Sequence, residues 1–352
     1  MARAWTALSV AALLAAPALG CGDQQASERA ALGRGVAYLE RAQLATGEFN
    51  VWACSDQALT ACQADNEPLA TGIILRAIAS VPQAAALCAR AARFLEQAQD
   101  PDGLYRYYQR EHPLYDKQPA LLEDTVANLT ALEAAGHKAP DFSGLLLAYQ
   151  TEAGPFHLYA IPLEELRQLQ ADPQRAAQRM DQAFAQFIAT VEPVANAKIQ
   201  AYLARHGRSS ASLCAYLLGV VKQGLEPGRY SVFYPSPYAY LAAFSEAYAD
   251  GARCLAPGVP AVETRLVQAQ HEDGSWGSVV ETAWAGTALL RLGHRGPALA
   301  RAAAWLARQQ RADGSWPREA YWSVAQPLRW YGSEEVTTGL VLDFLARKLA
   351  RP

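Results

Sequence analysis

The sequence predicts an all-α fold in which six helical hairpins close into a ring, an (α/α)6 toroid. A Gln-x-x-x-Gly-x-aromatic spacing recurs five times: Gln43, Gly47, Phe49; Gln99, Gly103, Tyr105; Gln150, Gly154, Phe156; Gln270, Gly274, Trp276; and Gln310, Gly314, Trp316. Self-similarity of this kind marks a repeat architecture. From Ser27 onward apolar residues recur with helical period, and strand signals are almost absent. Two kinds of helix alternate. One kind carries charges along a face and ends at a repeat glutamine, so it meets water; the other is apolar all round and must be buried all round.

Taken in order, residues 1–20 read as a targeting segment, with Arg3 as its positive start and an apolar run from Ala7 to Ala18 too short to span a membrane. Ala18-Leu19-Gly20 then precedes Cys21 as small residues precede the lipidated cysteine of bacterial lipoproteins, so the chain is expected to be exported and held at the cell envelope through Cys21. The toroid domain is expected over residues 27–352. Its outer helices are expected at 28–44, 82–99, 142–150, 259–270 and 297–310, with 209–223 serving the unit that lacks a repeat glutamine. At each helix end the glycine can take positive φ and the glutamine can bond backbone groups left open. The inner helices start at Glu67, Glu123, Glu192, Ser236, Glu281 and Glu335, and 167–190 is an extra helical insertion. Pro119, Pro140, Pro193, Pro235 and Pro237 lie at junctions, as prolines should.

Composition excludes some function classes. The formal net charge is −3 with both signs interspersed and no basic cluster, which argues against nucleic acid as a partner. Beyond Cys21 there are five cysteines, an odd number. Cys54 and Cys62 flank a short polar loop and form the first expected disulfide, Cys214 with Cys254 is a second, and Cys88 in an Ala-rich helix is expected to be a free buried thiol. No Cys-x-x-Cys or His-x-x-x-His pattern accompanies them as a zinc site would require, and the six histidines (His112, His137, His157, His206, His271 and His294) show no paired spacing and read as loop or surface residues. No metal and no cofactor is expected.

The repeated Gln-x-x-x-Gly-x-aromatic phrase on an α/α ring resembles the squalene-hopene cyclase, oxidosqualene cyclase and protein prenyltransferase group, over nearly the whole mature chain. The resemblance implies a terpenoid cyclase-like barrel whose central cavity takes an apolar, isoprenoid-like small molecule. Class II terpene cyclases use Asp-x-Asp-Asp-Thr, and Leu121-Leu122-Glu123-Asp124-Thr125 is its nearest counterpart here. Matched residue by residue, Glu123 falls on the proton donor, Asp124 on the neighbour that tunes it, and Thr125 agrees, while Leu121 replaces the first aspartate. The chain is also long enough for one toroid where the triterpene cyclases have two. The protein prenyltransferase branch holds zinc with an Asp-x-Cys pair, and class I terpene chemistry needs an aspartate-rich magnesium motif; neither occurs in this sequence.

Proton donation needs a carboxylic acid kept neutral by an apolar cavity or a second carboxylate. A helix N-terminus favours the ionised form instead, and acidic residues begin five of the six inner helices, so Glu123 also reads as one more N-terminal carboxylate. Gathered at one mouth, Glu67, Glu123, Asp124, Glu192, Glu281 and Glu335 would need a role or counter-ions. A cation-forming cyclase also wants aromatic walls. Trp284, Trp330 and Tyr238 are the expected substrate-facing aromatics, from a wider set with Tyr240, Trp322 and Tyr331; Asn196 is the expected polar contact; and Tyr105, Tyr107 and Tyr108 read as outer packing. Two other uses of the same ring remain open at this point: a polysaccharide-active enzyme with paired carboxylates, and a non-catalytic, lipid-anchored binding toroid.

Overall fold

A computed structural model describes residues 21–225, 230–325 and 328–351. The segment read as a targeting signal lies outside these residues. In chain order the first helices are α1 (Cys21–Ala42), α2 (Pro68–Ile78), α3 (Ala85–Ala98), α4 (Leu122–Ala134) and α5 (Ser143–Leu146). The insertion supplies α6 (Leu163–Ala171), α7 (Pro173–Arg179) and α8 (Gln182–Ala185). Then follow α9 (Pro193–Arg205), α10 (Ala211–Gln223), α11 (Pro237–Ala249), α12 (Val259–Gln268), α13 (Val279–Arg291), α14 (Pro297–Gln309) and α15 (Glu334–Leu349). Each inner helix packs on the next in the order α2, α4, α9, α11, α13, α15, and α15 returns to α2, so the ring is closed. The first outer helix begins at Cys21, earlier than the expected residue 28.

The repeat phrase makes the joints. All five of its glycines have positive φ, from 86° to 108°, a conformation open to glycine at little cost. Each glutamine donates from its amide to the carbonyl of its own glycine, at 2.8 Å for Gln43 and 2.9 Å for Gln99, Gln270 and Gln310. Four also reach the next outer helix: Gln43 to Leu87 at 3.2 Å, Gln150 to the Ser210 hydroxyl that caps α10, Gln270 to Ala298 at 2.9 Å, and Gln310 to Ala31 at 2.9 Å. The last of these ties the end of the chain to its beginning. The aromatic residue is pinned inward, because its backbone N–H donates to a side chain of the following inner helix. The pairs are Phe49 to Thr71, Tyr105 to Thr125, Phe156 to Asn196, Trp276 to Thr282 and Trp316 to Thr338, at 2.7–3.1 Å. Trp276 and Trp316 also donate from the indole to Leu266 and Leu306 on the helix each follows. Each such bond is worth about 1 kcal/mol net, but leaving a buried partner unmet costs about 1–3 kcal/mol.

One element departs from the all-α expectation. β1 (Trp52–Cys54), β2 (Cys62–Ala64), β3 (Trp322–Ala325) and β4 (Leu328–Gly332) form an antiparallel sheet in the order β2-β1-β4-β3. Strands of three to five residues offer too little alternation to be read from sequence. The sheet joins the first loop of the ring to the last, with Trp52 opposite Gly332 and Cys54 opposite Trp330. Cys54 is disulfide-bonded to Cys62 across the β1–β2 hairpin, Cys214 to Cys254, and Cys88 is free and buried.

Candidate active site

Because inner and outer helices alternate, all six inner helices run the same way and bring their N-termini to one end. There they enclose a cavity of about 380 Å³, within the range of small-molecule sites. Its walls are aromatic: Tyr107, Tyr108, Tyr159, Phe184, Phe187, Phe233, Trp322 and Tyr331. Glu123, Asp124 and Tyr234 also line it.

The two neighbouring carboxyls on the first turn of α4 have different surroundings. Glu123, only 4% exposed, lies 2.6 Å from the Lys198 ammonium and accepts a hydrogen bond from the Tyr234 hydroxyl. Burial alone would depress Lys198, but Glu123 holds its ammonium above the ordinary value. This is a buried ion pair. Asp124 has no such partner. Burial, and then the charge of Glu123, push its carboxyl well above the usual range, against weaker opposite pulls from Lys198 and a backbone bond. Among the described residues its Oδ2 has no hydrogen-bond partner. Of the two neighbouring carboxyls Asp124 is therefore the one whose surroundings favour the protonated form.

A third carboxyl stands beside it. Glu67 caps α2 by accepting from the Ala70 N–H at 3.0 Å, and its Oε2 is buried without a partner among the described residues. Burial, then Asp124, push it well above the carboxylate range. Glu67 precedes Thr71 by four residues as Leu121 precedes Thr125, and both threonines make the same aromatic-pinning bond. Glu67 thus holds on α2 the register position that Leu121 holds on α4. α2 and α4 approach so closely that a Cβ on Gly72 would collide with Asn128.

The other inner-helix acids have partners of their own. Glu192 accepts from Val194, Val232 and Phe233 amides, at 3.2, 3.0 and 3.4 Å. Burial pushes its carboxyl up, Ser231 pulls it down and Glu123 adds to the rise, leaving it at about 7. Glu281 accepts from Ser236 Oγ at 2.8 Å and from the Ser278 amide at 3.1 Å, and Glu335 is raised by burial. The gathering of acids at one mouth is thus relieved by caps, protons and one lysine.

Below the cavity a narrower space of about 110 Å³ runs between the inner helices, lined by small residues such as Gly72, Ala127 and Ala239, with Lys198, Tyr234 and Tyr321 on its wall. Arginines and acids close it: Arg76 lies 2.9 Å and Arg291 3.3 Å from Glu246. Burial would raise Glu246, but Arg291 and Arg76 hold it at about 2.

The expected substrate contacts fall elsewhere. Trp284 faces this lower space, packed at 5.1 Å on Tyr321. Trp330 sits on β4 between Arg329 and Tyr331, which both line the cavity, so strand alternation turns it to the other face. Tyr238 is half-buried on the first turn of α11 and lines neither space. Asn196 is structural: it accepts from the Phe156 amide and donates to the Phe156 and Glu192 carbonyls. Thr125 is the corresponding pin on α4. Conversely Tyr107 and Tyr108, read as outer packing, line the cavity, as does His112, stacked on Tyr108 at 3.8 Å; Tyr105 packs back on the outer helix it follows, its hydroxyl on the Leu95 carbonyl. Sequence reasoning passed over Lys198, although a lone lysine inside the apolar stretch of α9 was a signal, since an unpaired ammonium is almost never buried.

The Glu192 shift has a measurable consequence. A carboxyl whose folded pKa is raised binds its proton more tightly in the native state, so its stabilising contribution is whole below the unfolded value and is lost as pH rises toward the folded one. With Glu192 at about 7, that loss falls between roughly pH 4 and pH 7 and amounts to about 3 kcal/mol. Denaturant unfolding of Glu192→Gln, which keeps an acceptor oxygen, should lack this part of the wild-type decline; parallel pH profiles would contradict the assignment.

No protein-family model matches this sequence, and no curated protein does. Solved structures do match in fold. A ligand-free variant of the type II terpene cyclase MstE from Scytonema superposes with a TM-score of 0.70 at 17% identity, over 94% of this chain and 99% of that one. A protein from Actinoplanes gives 0.67 at 19% identity, over 91% and 99%. The ent-copalyl diphosphate synthase from Streptomyces platensis gives 0.58 at 19% identity, over 80% of this chain and half of that one. The chain has the α/α toroid fold of the type II terpene cyclases.

Proposed function

We propose that this protein binds an apolar, isoprenoid-like chain in the aromatic cavity and cyclises it by protonation, with Asp124 as the acid. The observation that carries the reading is a buried carboxyl, its Oδ2 without a partner among the described residues and its protonated form favoured by burial, at the edge of an aromatic-walled cavity. The Oδ–H bond of Asp124 breaks, a C–H bond forms at an alkene carbon, and the neighbouring carbon becomes cationic. The next double bond attacks it to close a ring. Ring faces of the cavity aromatics stabilise the positive charge, and the new carboxylate lies in the field of Lys198. Glu123 is committed to its ion pair with Lys198 and so serves as the fixed negative charge that keeps Asp124 protonated. This reverses the roles suggested by the motif. The substrate class draws support from MstE, two structures of which hold geranylgeranyl dihydroxybenzoate as substrate and merosterolic acid A as product.

Incubation of the chain from Gly22 onward with squalene and with geranylgeranyl dihydroxybenzoate in heavy water, followed by mass spectrometry, tests this. A cyclised product carrying one deuterium is expected, with turnover lowered at least about 100-fold in Asp124→Asn, as for loss of a general acid. Unchanged turnover in that variant would sink the assignment.

The same reading keeps the chain exported and anchored through Cys21. The Cys54–Cys62 and Cys214–Cys254 bonds favour an oxidising compartment. α1 starts beside the C-terminal end of α15, where Lys348 binds Glu28 at 2.8 Å, at the end of the ring away from the cavity. An anchor there leaves the cavity facing away from the membrane. Incorporation of labelled palmitate that persists in Cys21→Ala would contradict it.

A further inference from the structure

A ring-forming cation must lose a proton for the reaction to end, and the cavity carries a carboxyl that the protonation step does not use. Resting on the cyclisation reading, we propose that Asp65 is the base that takes this final proton. Asp65 follows β2 directly, and its backbone N–H bonds the Val51 carbonyl at 3.0 Å. Its side chain lines the cavity and accepts from the Tyr107 hydroxyl at 3.1 Å. Tyr107 is itself fixed, edge-on to Trp322 at 5.5 Å and to Tyr331 at 6.3 Å, and those two rings stack on each other at 3.9 Å. The carboxylate therefore stands against the densest part of the aromatic wall, where a cation is best stabilised.

Asp65 also differs from Asp124 in exposure. It is only partly buried, so it can pass a proton to water between turnovers. His112 and Arg329, which also line this cavity, are less suited. His112 accepts from the Leu114 amide through Nδ1, which leaves the hydrogen on Nε2 and no free lone pair in the neutral ring. Arg329 is a permanent cation. The step balances without a further reactant: the C–H bond beside the cationic carbon breaks, its electron pair becomes a C=C bond, and the proton moves to an Asp65 oxygen. One proton enters from Asp124 and one leaves to Asp65, so the product is an isomer of the substrate. The Cys54–Cys62 bond gains a role here, since it braces the hairpin that carries the base.

The test compares products of wild type, Asp65→Asn, Asp65→Glu and Tyr107→Phe with squalene and with geranylgeranyl dihydroxybenzoate as probes. Asp65→Asn is read by its product distribution at equal substrate consumed, because the base acts after ring closure. Its single cyclic olefin should give way to a mixture with water-captured alcohols, and Asp65→Glu should restore the olefin. Tyr107→Phe, which keeps the carboxylate but frees it, should broaden the mixture in part and decides the matter if Asp65→Asn fails to fold. An unchanged olefin from Asp65→Asn, while Asp124→Asn is inactive, overturns the base alone. A wild-type protein that converts neither probe overturns the cyclisation reading and the base together.

Discussion

A ring of helices is only as sound as its last joint, and here that joint is the amide of Gln310. It donates to Gly314 in its own turn and to Ala31 in the first helix of the chain, and its oxygen accepts from Arg34. Gln43 and Gln270 make the same three bonds at earlier joints within at most 47 residues of sequence, whereas Gln310 reaches across 279. With the ring shut, the six inner helices must point the same way and lose their water together. Everything chemical about the protein follows from that forced proximity of six dry helix starts.

Acidic residues at helix starts are ordinary where water is near, because the helix dipole favours their charge. In this ring the preference meets a dry interior, and three outcomes appear side by side. Glu123 pairs with a lysine at contact distance. Burial pushes the Asp124 and Glu67 carboxyls well above their ordinary range. Glu192 and Glu281 are held by amides and hydroxyls as caps. A buried charge stripped of its partner costs about 3–5 kcal/mol, so the single ion pair fixes which of the adjacent carboxyls on α4 is the neutral one. The acid is made by its surroundings rather than by its place in a motif.

That is also why the fold was legible in the sequence and the site only partly so. The repeat phrase is local: glutamine, glycine and aromatic lie within seven residues, and their bonds close over the same span. The carboxyls at 123 and 124 were legible as chemistry for the same reason. Their roles were not, because Lys198 and Tyr234 arrive from 75 and 111 residues away. The cavity aromatics come from loops, the insertion and a sheet of very short strands, where no period announces which side faces in. Trp330 and Tyr331 show the difficulty plainly, since one residue of register turns one away and the other inward. Asn196 looked like a ligand contact on an apolar helix, and the ring had already used it as a pin.

The central claim is that Asp124, whose carboxyl burial pushes well above its ordinary range, is the acid of the site. Infrared difference spectra between wild type and each single variant read this directly, because a protonated carboxyl has a C=O stretch that a carboxylate lacks. The account predicts that Asp124→Asn removes a protonated-carboxyl band and that this band survives in Glu123→Gln. A protonated band that disappears with Glu123 and survives the loss of Asp124 would contradict it.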